Sequence, residues 1–124
     1  MGDGGDPKGL HLLVCGGRDF RDRDAVHRAL SAVRAKRGIA SIIQGGADGA
    51  DRLAAEWGWD NGIPVGTFNA DWKKYGKKAG PIRNRQMLEE GKPDAVVAFP
   101  GGAGTADMIR QAEAAGLRVW QPLR

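Results

Sequence analysis

Three pairs of adjacent glycines each follow an apolar run of this sequence. They are Gly16-Gly17 in VCGGRDF, Gly45-Gly46 in IIQGGADGAD and Gly101-Gly102 in AFPGGAGT. Backbone N–H groups approach an anion closely where no Cβ intervenes, and the positive end of a following helix favours the same charge. One such turn is commonly only a tight connection, but three in equivalent positions predict a site for a ligand that carries phosphate.

Polar residues beside these glycines extend the predicted site. Arg18 is either a phosphate clamp or a solvated charge, and Asp19 follows it. Asp48 and Asp51 lie near a helix start, where they either act as favourable acidic caps or accept hydrogen bonds from ribose hydroxyls. They are also the candidate catalytic carboxylates. Thr105 can both cap the last helix and bond a phosphate oxygen.

A basic segment supplies the remaining candidates. Residues 71–85, DWKKYGKKAGPIRNR, contain six Lys and Arg residues and one acid, whereas the whole chain has a net charge of +4. The basic character is therefore local and indicates one anionic partner site. Trp72 is the tryptophan that we expect near a ligand. Arg83 and Arg85 lie beside a predicted helix start that could close over a ligand, and Asn84 between them is a further candidate.

Composition excludes several other classes of protein. Cys15 is the only cysteine, which rules out an internal disulfide and fits a reducing compartment. No segment approaches the roughly 18 apolar residues of a membrane span, and the N-terminus lacks the pattern of a secretory signal. His11 and His27 have no metal-ligand spacing, so we expect no metal. These features predict a cytoplasmic protein without a membrane partner.

The elements that must position these residues alternate along the chain. Apolar runs at 10–15, 39–44, 63–68, 94–99 and 117–122 are separated by helical patterns at 22–37, 48–61, 80–91 and 104–115. This alternation predicts an α/β fold, a single doubly wound Rossmann-like domain at 9–124 with a five-stranded, mostly parallel sheet flanked by helices. The composition of residues 1–8 predicts a disordered tail. Residues 69–80 are predicted to form one long polar loop. In such a sheet, ligands bind beyond the carboxyl ends of the strands.

With GGR, GGADGAD, AGPIRN and FPGGAGT in this order, the chain resembles the SLOG superfamily of Rossmann-like proteins over roughly residues 9 to 121. It is most similar to the YspA-type, cpYpsA-related branch. The resemblance implies a nucleotide, nucleotide-sugar or ADP-ribose-type ligand. The candidate ligand-binding residues are Gly16, Gly17, Arg18, Asp19, Gly45, Gly46, Asp48, Asp51, Trp72, Arg83, Asn84, Pro100, Gly101, Gly102, Gly104 and Thr105.

The PGG-x-GT element at 100–105 is also similar to that of the Lonely Guy phosphoribohydrolases, which release a base from a nucleoside monophosphate. Those enzymes place a catalytic Glu where this chain has Met108. A thioether neither stabilises an oxocarbenium ion nor activates water, so we expect Met108 to pack against the sheet. Asp107 is adjacent, but one helical step rotates a side chain by roughly 100°, so we expect it to face elsewhere.

Three functions remain open from the sequence. The leading hypothesis is a sensor or sequestering module for a nucleotide derivative, without assured catalysis and with no certain cofactor. The alternative is an N-glycoside hydrolase that takes a carboxylate from Asp48 or Asp51. Single-stranded DNA binding, which the distant relation to DprA permits, is disfavoured because only Trp72 and Tyr75 accompany the cations as stacking aromatics. We also expect a homodimer.

Overall fold

A computed structural model describes residues 5–123 of the chain. The sheet contains β1 (Leu10–Cys15), β2 (Ile39–Gln44), β3 (Val65–Thr67), β4 (Ala95–Ala98) and β5 (Arg118–Trp120). The helices are α1 (Arg23–Arg37), α2 (Ala50–Asp60), α3 (Trp72–Tyr75), α4 (Ala79–Gly91) and α5 (Ala103–Ala114). A 3-10 turn, Gly76–Lys78, joins α3 to α4. The predicted α/β fold is confirmed.

All five strands are parallel, in the order β3-β2-β1-β4-β5. The chain moves outward from β1 to β3 and then returns to the other side of β1. β1 and β4 therefore flank the topological switch point, where open α/β sheets bind ligands. Cys15 and Ala98, the last residues of these strands, are partners in the register, so their following turns are neighbours.

Helices cover both faces of the sheet, which explains why the strands are continuous apolar runs. On one face, α1 and α2 pack on β1 and β2 around Leu12, Val14 and Trp57. On the other, α4 and α5 contribute Met87 and Met108 to a second core cluster. The two faces together bury most residues of the central strands β1 and β4.

Some predicted boundaries were wrong. The strands β3, β4 and β5 are shorter than their apolar runs. The polar segment 69–80 is not one loop, because it contains α3 and the 3-10 turn. The signal was Asp71, whose Oδ1 accepts from the Lys74 N–H at 3.0 Å and caps α3.

The segment assigned to a tail falls partly outside the described residues, namely at 1–4. Asp6 contacts the start of β2: its N–H donates to the Ile39 carbonyl at 2.9 Å, and its Oδ2 accepts from the Ile39 N–H at 2.8 Å. None of the helices within residues 5–123 combines the length and apolar character needed to cross a membrane.

Candidate functional site

A cavity of about 500 Å³ lies at the carboxyl edge of the sheet, between the end of β1 and the amino-terminal ends of α4 and α5. It unites most of the candidates proposed from the sequence. Those that line it are Gly16, Gly17, Arg18, Asp51, Trp72, Arg83, Asn84, Gly102, Gly104 and Thr105. The topology explains this, because the turns after parallel strands gather at one edge.

The amino-terminal end of α5 forms part of the cavity wall. Gly102 is its N-cap residue, and no side chain in the described region caps it; α1, by contrast, is capped by Asp22. The first N–H groups of a helix lack intrahelical acceptors, so here they are available to an anion. A Cβ at Gly102 or Gly104 would meet no described atom within 4 Å.

Thr105 does not cap this helix, contrary to expectation. The helix already begins at Ala103, so Thr105 lies within its first turn. Its side chain is 8% exposed and packs against Gly101, where a Cβ would collide with the hydroxyl. Thr105 still lines the cavity, which keeps its hydroxyl near the open N–H groups.

The first glycine pair joins two turns to each other. The Gly17 N–H donates to the Pro100 carbonyl at 2.8 Å, so it is not free for a ligand. A Cβ at Gly16 would lie 2.6 Å from the Ala50 Cβ and 2.9 Å from that of Phe99. These glycines therefore allow α2 and the β4 turn to approach β1 closely. Pro100 and Gly101 support the site without lining it.

The second glycine pair is turned inward, which differs from the expected phosphate contact. Asp51 Oδ2 accepts from the N–H groups of Gly45 at 3.2 Å and Ala47 at 3.3 Å. The Gly46 N–H donates to the Gln44 side chain at 2.6 Å. Because the protein uses these donors itself, Gly45 and Gly46 do not line the cavity. Asp51 acts as a clamp on the β2–α2 turn.

Asp51 is nevertheless a functional candidate, because it lines the cavity and its pKa is perturbed. Burial raises the pKa of Asp51 to about 6, while the two N–H donors and the Arg83 charge oppose the shift. Burial also raises the pKa of Cys15 to about 12. Cys15 is therefore a neutral thiol in the cavity wall, as its predicted structural role requires.

Arg83 links two parts of the site. Its Nη1 donates to the Gly45 carbonyl at 2.6 Å, and its Nε donates to Asn84 Oδ1 at 3.0 Å. Burial lowers its pKa, and the Asp51 charge opposes that effect. A guanidinium has five N–H donors, so several remain for a ligand.

Two of the predicted acids lie away from the cavity. Asp48 is exposed and borders a separate cleft of about 370 Å³ that also contains Arg21, Arg52 and Glu56. Asp19 is exposed and does not line the cavity. Asp48 and Asp51, three residues apart in the chain, therefore border different cavities.

Besides Arg83 and Asn84, the basic segment brings Trp72 and Lys77 to the cavity. Trp72 is 51% exposed and, like Lys77, lines the cavity. Arg85 instead pairs with Glu89 along the outer surface of α4, at 3.0 Å. Of the six Lys and Arg residues in the basic segment, Lys77 and Arg83 thus line the cavity.

Asp107 was missed by the sequence reasoning, and the expectation that it faces elsewhere was wrong. Its side chain lines the cavity, and its Oδ2 accepts from Asn84 Nδ2 at 3.0 Å and Gln111 Nε2 at 2.8 Å. The prediction that Met108 packs in the core is confirmed, since Met108 is 1% exposed. The available signal was spacing: Asp107 follows Gly104 by three residues, and such positions share a helix face.

Metal ligation has no support in the described part of the chain. Among residues 5–123, no group of three or more His, Cys, Asp or Glu side chains could hold a metal ion. The guanidinium groups and the helix N–H groups that line the cavity are donors of the kind that favour an anion.

Comparison with known proteins identifies the family. The sequence model of the YspA, cpYpsA-related SLOG family matches residues 10–75. The chain belongs to this SLOG family. The Gene 61 protein of Mycobacterium phage D29 is 39% identical over 119 residues, which cover 87% of this chain and 92% of the phage protein. No solved structure matches.

SLOG membership associates the chain with nucleotide-related binding or processing at a general level. The phage relative also fits a bacterial or phage origin. The matched residues contain the first two glycine turns and Trp72. The third turn, at the start of α5, lies beyond them, so its interpretation depends on the geometry of the cavity.

Proposed function

We propose that this SLOG protein binds a nucleotide or nucleotide derivative in the cavity and acts as a sensor or sequestering module. The ligand is a nucleoside monophosphate or a molecule like ADP-ribose or NAD. The observation that carries the proposal is the uncapped start of α5, which opens into a cavity also lined by Arg18 and Arg83. Helix N–H groups and guanidinium groups both favour phosphate.

The rest of the cavity suits the remainder of a nucleotide. Its volume of about 500 Å³ lies within the usual range for small-molecule sites, roughly 300–1,000 Å³. Trp72 offers an exposed indole at the mouth, where a base can stack. The uncapped start of α5 and the guanidinium groups of Arg18 and Arg83 converge on one cavity, which favours one compact anionic group over an extended polyanion.

Isothermal titration calorimetry against AMP, ADP-ribose, NAD and cyclic nucleotides tests this proposal. Arg18→Ala should weaken binding by about 1–3 kcal/mol, the contribution of a charge-assisted hydrogen bond. Arg28→Ala is the matched control, because Arg28 is exposed on α1 and does not line the cavity. Absence of binding across the panel at millimolar ligand would refute the proposal.

An N-glycoside hydrolase is the second candidate, and a specific observation favours it. Asp51 and Asp107 line the same cavity, although Met108 occupies the position of the Lonely Guy glutamate. A carboxylate stabilises the oxocarbenium ion that develops during N-glycosidic cleavage and helps to activate water. Asp51 is the better candidate for the base because its raised pKa of about 6 lies close to neutral pH.

Product analysis separates the two candidates. A hydrolase releases free base or ribose phosphate from a nucleotide in the panel, and Asp51→Asn abolishes that release without preventing ligand binding. Intact nucleotides after prolonged incubation would leave binding as the function. We place either function in the cytoplasm, since nucleotides are intracellular metabolites and Cys15 is held as a buried thiol.

A further inference from the structure

Asp107 is a side chain of the cavity to which the resemblance assigns no role. It lies on α5, one turn after the open N–H groups, and its side chain is 18% exposed. Three residues separate it from Gly104, a rise of about 4.5 Å along the helix axis. A carboxylate therefore lies close to the proposed phosphate position, where negative charge alone would oppose binding.

Hydrogen bonds hold this carboxylate in one orientation. Asn84 is 3% exposed, and its Oδ1 accepts from Arg83 Nε at 3.0 Å. Its amide nitrogen must then act as the donor, and it bonds Asp107 Oδ2 at 3.0 Å and the Gly104 carbonyl at 3.2 Å. Gln111 adds a second amide donor to the same oxygen at 2.8 Å. The buried amide thus fixes Asp107 relative to both Arg83 and the start of α5.

The other oxygen of Asp107 retains capacity to accept. Its partner in the described structure is Arg110 Nη2, at 3.4 Å, and the Arg110 side chain is 70% exposed. Such a long, solvated ion pair contributes little. An ionised carboxylate offers about four acceptor sites and no donor, so Oδ1 can recognise only O–H or N–H groups of a ligand.

We infer that Asp107 recognises the ribose hydroxyls of the bound nucleotide, which makes the site selective for ribonucleotides over deoxyribonucleotides. The inference rests on the proposed nucleotide-binding function and specifies its substrate class. In a nucleoside 5′-phosphate the sugar hydroxyls lie a few bonds from the phosphate, so one ligand reaches both the start of α5 and Asp107. A site that bonds a hydroxyl disfavours an analogue that lacks it, because the partly buried acceptor then loses that bond.

Calorimetry with matched ligands tests the inference. The probes are the common ribonucleoside 5′-monophosphates and ADP-ribose, together with the 2′-deoxy and 3′-deoxy forms of each monophosphate. The wild-type protein should bind the ribo form of its preferred monophosphate about 10- to 100-fold more tightly than a deoxy form, as expected for a hydrogen bond to a charged group. Asp107→Asn should reduce ribonucleotide affinity by a similar factor and bring the ribo-to-deoxy ratio close to one.

Two controls make the result specific. Asn at 107 can still accept from Asn84 and Gln111, so the variant should keep the thermal midpoint of the wild type. Glu113→Gln removes one negative charge from an exposed position of the same helix. It should leave the affinities for the ribo and deoxy forms unchanged. Binding of inorganic phosphate should not weaken in Asp107→Asn, because this ligand has no sugar.

The outcomes distinguish this inference from the function on which it rests. If nucleotides bind but ribo and deoxy forms bind equally, or if Asp107→Asn keeps the ribo preference, the inference is overturned and nucleotide binding stands. If no nucleotide binds, both the inference about Asp107 and the proposed nucleotide-binding function fail.

Discussion

Replacing Asp51 with Asn tests the burial of the carboxylate that clamps the β2–α2 turn. Asp51 is 5% exposed, and burial raises its pKa from 3.8 to about 6 despite two backbone donors and the nearby Arg83. A pKa raised by this amount corresponds to about 3 kcal/mol of free energy between the folded and unfolded states. The Asn variant is nearly isosteric, so it removes the titration while preserving the shape of the turn.

The sign of the effect follows from proton linkage. The pKa of the folded state lies above that of the unfolded chain, so the folded state holds this proton more tightly. The stability gained from Asp51 is complete below pH 3.8 and is lost as pH rises through about 6. The free energy of unfolding of the wild type, minus that of Asp51→Asn, should therefore fall by about 2 kcal/mol between about pH 4.5 and about pH 7.

Urea unfolding followed by tryptophan fluorescence at several pH values measures this difference. The buried Trp57 makes fluorescence a suitable probe of folding. Asp48→Asn removes an exposed acid from the same turn and corrects for the loss of one negative charge. Parallel pH profiles for the wild type and Asp51→Asn would refute the reasoning, because they would mean that Asp51 titrates alike in both states.

Four further predictions concern the site and the assembly. Arg83→Ala should weaken nucleotide binding by about 1–3 kcal/mol in calorimetry. Arg85→Ala removes an outward-facing cation and should not weaken it; equal losses would contradict the assignment of Arg83 to the ligand site. Gly101→Ala should lower the free energy of unfolding by about 1–3 kcal/mol, because a Cβ would lie 2.6 Å from the Gly17 nitrogen. Gly102→Ala should not lower it, and equal thermal midpoints of the two variants would refute this packing. Single-stranded oligonucleotides should bind only weakly at physiological salt. Sub-micromolar binding at about 150 mM salt, not displaced by mononucleotides, would overturn the prediction of a small-ligand site. We propose that the chain forms a homodimer, since Trp120 on the edge strand β5 is 42% exposed; a monomeric mass by light scattering at high micromolar concentration would contradict it.

The fold could be predicted from the sequence because its signals are local and mutually consistent. Continuous apolar runs such as LHLLVC at 10–15 indicate strands covered on both faces, and their alternation with helical patterns leaves few topologies. The outer strands were predicted too long for a physical reason. Apolar residues beside β5, such as Leu117, pack against the core without pairing in the sheet.

The site was only partly predictable, because a glycine turn does not reveal which acceptors its N–H groups bond. At Gly45 and Gly46 the donors are used by Asp51 and Gln44, and at Gly17 by the Pro100 carbonyl. At Gly102, by contrast, no side chain of the described residues caps the helix that follows. That distinction depends on contacts between distant residues, which residue types and local spacing do not specify.

The faces of α5 explain why this chain has its acid at position 107, whereas the Lonely Guy enzymes have a glutamate at the position of Met108. Thr105, Met108 and Ala112 are buried on the face that packs against the sheet. Gly104, Asp107 and Gln111 share the adjacent face, towards Asn84 on α4. An acid at 108 would enter an apolar core cluster, whereas the acid at 107 has two amide donors to orient it. On α5 the carboxylate that lines the cavity is therefore at 107, while Met108 is buried in the core beside it.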